Sequence, residues 1–209
     1  MFRPLLIAWT LFGWLWLFFD TIVTPENWYN FTCWTWFLQT IFYTLFLAAS
    51  KEGRLLTWLK MDIAEYYIFL DAYMLPIIWT CEFTAAVAVV YMMVDESTVL
   101  DDSLNKNGPI YTWVGNFIIH YLTVIVLLAY IHHDTKRIYT CIRSAREEAP
   151  GRTSLLCIVV FTLTHAYATF FPPASHYGIA GITDTATALL LLVVSASAFG
   201  VFHNWTRQG

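Results

Sequence analysis

Charge is scarce in this sequence: acidic and basic residues make up only 12% of its 209 positions. No stretch forms the basic stripe that would hold a nucleic acid, so a nucleic-acid partner is excluded. Cysteine is also rare, with four residues. Cys33, Cys81, Cys141 and Cys157 form no CxxC pair and offer no evident partners, which argues against a zinc site and a structural disulfide. Near the N-terminus, Trp9, Trp14, Trp16 and Phe19 leave no small-residue cleavage site, so the first apolar run reads as a retained helix rather than a signal peptide. Internal repeats and low-complexity linkers are absent. Basic residues are nearly missing from one set of connections, where Lys106 stands alone.

What fills the chain is apolar: 58% hydrophobic and 18% aromatic. Six long stretches stand out, Pro4–Val23, Phe31–Ser50, Tyr73–Val94, Ile110–Ile131, Ser154–Phe171 and Thr185–Phe202. Each approaches the length needed to cross a hydrocarbon core of ~30 Å at ~1.5 Å per residue. If alternate connections face one side, that side collects Arg3, Lys51, Arg54, Lys60, Lys136, Arg137, Arg143, Arg146, Arg152 and Arg207, ten of the eleven basic residues. The positive-inside rule then places both termini and the two basic loops in the cytoplasm. Asp95, Glu96, Asp101 and Asp102 cluster in an outer loop, and Trp28, Tyr29, Tyr111 and Trp113 stand at outer helix ends, where amphipathic rings favour the interface. The expectation is an all-α, polytopic membrane protein of six transmembrane helices, residues 1–209 forming a single domain. The endoplasmic reticulum and the plasma membrane are both compatible with it. Of two glycosylation sequons, the one at Asn30 abuts the membrane and the one at Asn204 falls on the cytoplasmic side.

Polar side chains inside such helices are costly, so those present face the bundle interior or a cavity. Thr32, Thr35 and Gln39 share one face of the second helix. Asn116, His120 and Thr123 share a face of the fourth, and Thr162, His165 and Thr169 a face of the fifth. Glu82 lies in the third helix, Asp20 ends the first and Asp184 opens the sixth. With alternating topology, Thr32, His120, His165, Asp20 and Asp184 gather in the outer half, with Glu82 nearer the midplane. Structural alternatives stand beside each. Thr can bond a carbonyl one turn back, His can join helices, Glu82 can be neutral and hydrogen-bonded, and Asp20 and Asp184 can be solvated. His132 and His133, beside Asp134, suit a cytoplasmic interface. Pro76 predicts a kink that frees a backbone carbonyl.

A Thr hydroxyl and a neutral imidazole on adjacent helices are the elements of nucleophilic acyl transfer: the hydroxyl needs a base within reach, and donors to steady an oxyanion. The order of residues adds a resemblance. The run Asn30-Phe31-Thr32-Cys33-Trp34-Thr35-Trp36-Phe37-Leu38-Gln39-Thr40-Ile41-Phe42-Tyr43 resembles the second helix of the androgen-induced and androgen-dependent TFPI-regulating protein family. Trp113-Val114-Gly115-Asn116-Phe117-Ile118-Ile119-His120 is similar to that family's Asn-x-x-x-His element. His165 with Pro173, and Pro76 in the third helix, fit it as well. Three positions depart from the pattern: Ile125 replaces an expected proline, Tyr130 an expected acidic residue, and Phe117 a further His.

The resemblance implies a six-pass threonine hydrolase acting on fatty acid esters of hydroxy fatty acids, a lipid ester entering from the bilayer. Thr32 would be its nucleophile and His120 its base. Asn116 would serve as oxyanion donor or orienter of the base, and His165, Asp184, Gln39 and Glu82 as the supporting network. No cofactor and no metal are expected. Two other classes fit the same polar residues. A proton-coupled carrier would use Glu82, Asp184 and the buried His. A haem-binding electron carrier would need His120 with His165 as one axial pair, and His132 or His133 with His203 as another.

Overall fold

The computed structural model describes residues 2–23, 31–49, 54–95, 104–105, 108–152, 155–156, 158–159 and 185–208. Among them every element is helical. Helix α1 is Phe2–Val23, α2 is Phe31–Ala49 and α3 is Arg54–Leu59. Helix α4 runs continuously over 63–95 as Ile63–Ile68, a π-helical Phe69–Met74 and Leu75–Asp95. Helix α5 is Gly108–His133, α6 is Thr135–Glu148 and α7 is Thr185–Gln208. Three helical segments are long and apolar enough to cross a membrane, Phe2–Phe19, Ile63–Val87 and Gly108–His133. The fifth apolar stretch, with Thr162, His165, Thr169 and Pro173, lies outside the described residues. So do Asp184, the Asn30 sequon, Glu96, Asp101 and Asp102, and the side chain of Asp20.

The third apolar stretch begins earlier than its hydropathy suggests, at Ile63 instead of Tyr73. The cause is a capping box: Glu65 N–H donates to Asp62 Oδ1 at 2.8 Å, while Asp62 N–H donates to Glu65 Oε2 at 3.2 Å. Two otherwise orphaned amides are satisfied, and the helix starts in a polar segment. Just before it, Lys60 takes a positive φ of 54° and Met61 N–H donates to Leu56 O at 3.2 Å, closing α3 by a left-handed cap. Pro76 follows the π-helical segment directly, and Leu75 N–H reaches Leu70 O. The wider turn is where the chain absorbs the irregularity that proline brings to a helix.

The basic connection after α5 is not a loop. Residues Ile138, Cys141, Ile142 and Ala145 recur at three- and four-residue spacing and are buried, whereas Lys136 and Arg143 on the other side are exposed. That makes α6 an amphipathic helix. Its end is a turn in which Arg152 N–H donates to Ala149 O at 3.2 Å across Pro150 and Gly151, with Gly151 at φ 83°.

Packing explains the outward faces. On α1, Leu6, Thr10, Gly13 and Leu17 point inward. Leu5, Leu11, Leu15, Phe18 and Phe19 remain exposed, the exterior a lipid-facing helix presents. Helices α4 and α7 run antiparallel, joined by Trp79 Nε1 donating to Ala198 O at 2.9 Å and by a 2.8 Å hydroxyl pair between Thr84 and Ser195. Helices α2 and α5 run parallel, as successive contacts of Trp36 with Ile119, Gln39 with Thr123 and Phe42 with Tyr130 require.

Candidate functional site

The polar face of α2 points into the bundle. Thr35 and Gln39 are almost fully buried, as are Glu82 on α4 and Thr123 and His120 on α5. These residues sit where three helices meet and solvent has no access. Gln39 is the organiser: its Nε2 donates to Thr123 O at 3.1 Å and its Oε1 accepts from Trp9 Nε1 at 3.3 Å. One amide thus ties α1, α2 and α5 together. Three residues earlier, Trp36 Nε1 donates to Ile119 O at 3.0 Å.

His120 lies in a π-helical segment, Phe117–Leu122, preceded by another at Tyr111–Gly115. Such turns widen a helix and re-aim side chains, often beside a site. Here the segment carries the imidazole inward to 7% exposure. Its Nδ1 is buried without a hydrogen-bond partner among the described residues, and so are Glu82 Oε1 and Tyr43 Oη. Glu82 also hydrogen-bonds the Thr123 side chain, and Thr123 Oγ1 lies 3.3 Å from His120 O. Buried polar atoms are ordinarily paired, because leaving one unmade costs ~1–3 kcal/mol. Three such atoms, one each on α2, α4 and α5, have hydrogen-bonding capacity left over.

The hydroxyls sort into two groups. Thr10, Thr35, Thr44, Thr80, Thr84 and Thr135 each donate to a carbonyl three or four residues back. Thr32 does not. It occupies the first turn of α2, donates no hydrogen bond among the described residues and is half-buried. The parallel register of α2 and α5 sets Thr32 level with Gly115 and Asn116, about one turn from His120. No hydrogen bond joins Thr32 to His120 among the described residues. Asn116 spends its amide within its own helix, Nδ2 donating to Thr112 O at 2.6 Å. His165 and Asp184 lie outside the described residues.

His133 and His203 stand at the other end of the bundle. His133 stacks on Phe2 at 4.8 Å and lies 3.4 Å from Asp134, whereas His203 Nδ1 lies 3.3 Å from Arg146 Nη2. Cys33, Cys81 and Cys141 are buried.

Two groups escaped the sequence reading. Tyr43 sits four residues after Gln39, so helical periodicity could have added it to the polar face of α2. Asp71 is fully buried in the π-helical part of α4, accepting from Tyr130 Oη at 2.7 Å and from Arg137 Nε at 2.8 Å. Its sequence signal was hidden because the third helix was taken to begin after it.

Comparison of the chain with protein-family models, with curated proteins and with solved structures returned no match.

Proposed function

We propose that this chain is a membrane-embedded lipid ester hydrolase, with Thr32 as nucleophile and His120 as base, similar in chemistry to the androgen-induced and androgen-dependent TFPI-regulating proteins. In this reading the bundle has six spans with both termini cytoplasmic, and Thr32 and His120 lie in its outer half. The observation that carries it is the buried His120, whose Nδ1 has no hydrogen-bond partner among the described residues. An imidazole without a partner in the membrane interior is a base with its capacity intact. The hydroxyl of Thr32, on the helix next to it and without a hydrogen bond among the described residues, supplies a nucleophile that the neighbouring threonines, bonded to their own helices, do not.

In this reading the substrate sits at the one-turn offset between the two. The ester carbonyl lies between Thr32 and His120, and the proton of Thr32 passes to the imidazole directly or through one water. Thr32 Oγ1 bonds to the carbonyl carbon, and the alcohol leaves with the proton held by His120, giving an acyl-threonine. Water then attacks the acyl carbon, surrendering a proton to His120. The fatty acid departs as Thr32 recovers its hydrogen. Asn116 joins as an oxyanion donor by releasing Thr112 O, and Gln39 holds α5 in register throughout. Acyl chains lie among the aromatic side chains of α1 and α2.

The test is hydrolysis of a fatty acid ester of a hydroxy fatty acid by the purified chain, with Thr32→Ala and His120→Ala at matched folding. Loss of at least ~10²-fold in both variants is expected, since acid–base assistance alone contributes ~10²–10⁴-fold. Full activity in either variant removes that residue from the mechanism. Glu82 favours one other reading, a proton-coupled carrier, because a buried carboxyl with an open oxygen is what such carriers use. Ester-independent, pH-driven solute uptake into proteoliposomes that Glu82→Gln abolishes would select it.

A further inference from the structure

At the opposite end of the bundle the last turns of α6 and α7 and the Pro150–Gly151 turn enclose a cleft of ≈ 290 Å³. Its floor is apolar, built from Ile142, Phe199 and Phe202, and its rim is cationic, carrying Arg146, His203 and Arg207. Neither arginine has an ion-paired carboxylate among the described residues: Glu147 is taken by Arg143 at 3.0 Å, and Asp71 and Asp134 by Arg137. Arg146 is held by α7 instead. Its Nη2 donates to Thr206 Oγ1 at 2.7 Å, with Nη1 3.3 Å from Thr206 O.

That arrangement has a simple structural explanation, since arginine commonly caps the carbonyls at a helix C-terminus. Capping accounts for one cation. It does not account for a second arginine brought to the same rim without an acid, because like charges gathered at one site repel. A third cation stands close by, with Arg152 held 5.4 Å over the ring of Tyr73, one turn before Pro76 in the cleft wall. An uncompensated cationic rim above an apolar floor, at the basic end of a membrane bundle, matches an amphiphile with an anionic head.

We propose that this cleft binds an anionic phospholipid, its headgroup phosphate on Arg146 and Arg207 and the start of an acyl chain on Ile142, Phe199 and Phe202. The site is separate from the Thr32–His120 region and stands whether or not the chain is a hydrolase. Phosphate is the recognised group, and the apolar floor selects the lipid over the free ion.

The experiment titrates the full-length, detergent-purified chain with dioctanoyl phosphatidic acid, with dioctanoyl phosphatidylcholine and with inorganic phosphate. Phosphatidic acid is expected to bind at one site per chain, at least tenfold more tightly than either of the others. Arg207→Gln, which leaves the Thr206 bonds of Arg146 in place, should weaken it roughly fivefold. Arg146→Gln combined with Arg207→Gln should weaken it further, and Arg143→Gln should leave it unchanged. Equal affinity for the two lipids, or an unaltered affinity in the folded Arg207→Gln protein, overturns the proposal. Inorganic phosphate binding as tightly as phosphatidic acid overturns its lipid part.

Discussion

Arg137, on the amphipathic helix α6, donates through Nε to the fully buried carboxylate of Asp71 at 2.8 Å. The same guanidinium donates to Tyr130 Oη at 2.6 Å, meets Asp134 at 3.2 Å and lies over the rings of Phe46 and Tyr67. Four helical elements therefore converge on one cation, and the carboxylates hold the guanidinium charged with its pKa raised above the ordinary value despite burial. A buried charge stripped of its partner is costly, ~3–5 kcal/mol, whereas replacing both partners by apolar groups is often close to neutral. Arg137→Met is expected to destabilise the protein by that amount, and Asp71→Leu with Arg137→Met by clearly less. Thermal unfolding of the parent, Arg137→Met and the double variant in one detergent checks this; a double variant as unstable as Arg137→Met alone, or more so, would contradict it.

How far the sequence could be read follows from the same contacts. The apolar stretches were visible because hydropathy needs no tertiary information, and the inward face of Thr35 and Gln39 because helical period alone aligns them. Asp71 was not visible: an acidic residue near basic ones reads as loop until the Asp62–Glu65 capping box is recognised as a helix start. The amphipathic pattern of α6, Ile138, Cys141, Ile142 and Ala145, was present but was overshadowed by the charges between them. Asn116 shows a different limit. Its spacing from His120 places it on the right helix face, yet whether an amide turns toward a ligand or back onto its own helix is decided by local geometry. Trp36 and Trp9 belong to no polar pattern in the sequence, although each spends its indole N–H on holding α2 to a neighbour.

Gly13 faces Thr40 where α1 and α2 approach most closely, and a Cβ at residue 13 would collide with Thr40 Oγ1. Small residues at such crossings let membrane helices pack backbone to backbone. Thr40 has little room to retreat, since its own carbonyl accepts from Thr44 Oγ1 at 2.7 Å and that hydroxyl accepts from Trp14 Nε1 at 2.9 Å. Gly13→Val should destabilise by ~1–3 kcal/mol through overpacking. Thr40→Ala in the Gly13→Val background should recover part of the loss by removing the colliding hydroxyl. Unfolding midpoints of the single and double variants decide it, and no recovery would mean that the crossing is not set by this pair.

Cys141 offers a probe of whether α6 stays docked. It is 7% exposed on the buried side of that helix. Burial, with the charge of Asp71 beside it, pushes its thiol up to about 12. The thiolate is the reactive form, so the ordinary thiol value near 9.0 makes an undocked helix far more reactive, on the order of a thousandfold in thiolate at pH 8. Maleimide labelling followed by peptide mapping should find Cys141 essentially unmodified in the intact protein and rapidly modified in Arg137→Met, where the Asp71 anchor is gone. The sign of the pH dependence follows. In the fold the thiol keeps its proton above pH 9, whereas the unfolded chain gives it up, so the unfolded state binds fewer protons and stability falls as pH rises from about 9 toward about 12. Replacing Cys141 with Ala should flatten that part of the stability profile. Labelling of Cys141 at pH 8 as fast as a free cysteine would show that α6 spends much of its time away from the bundle.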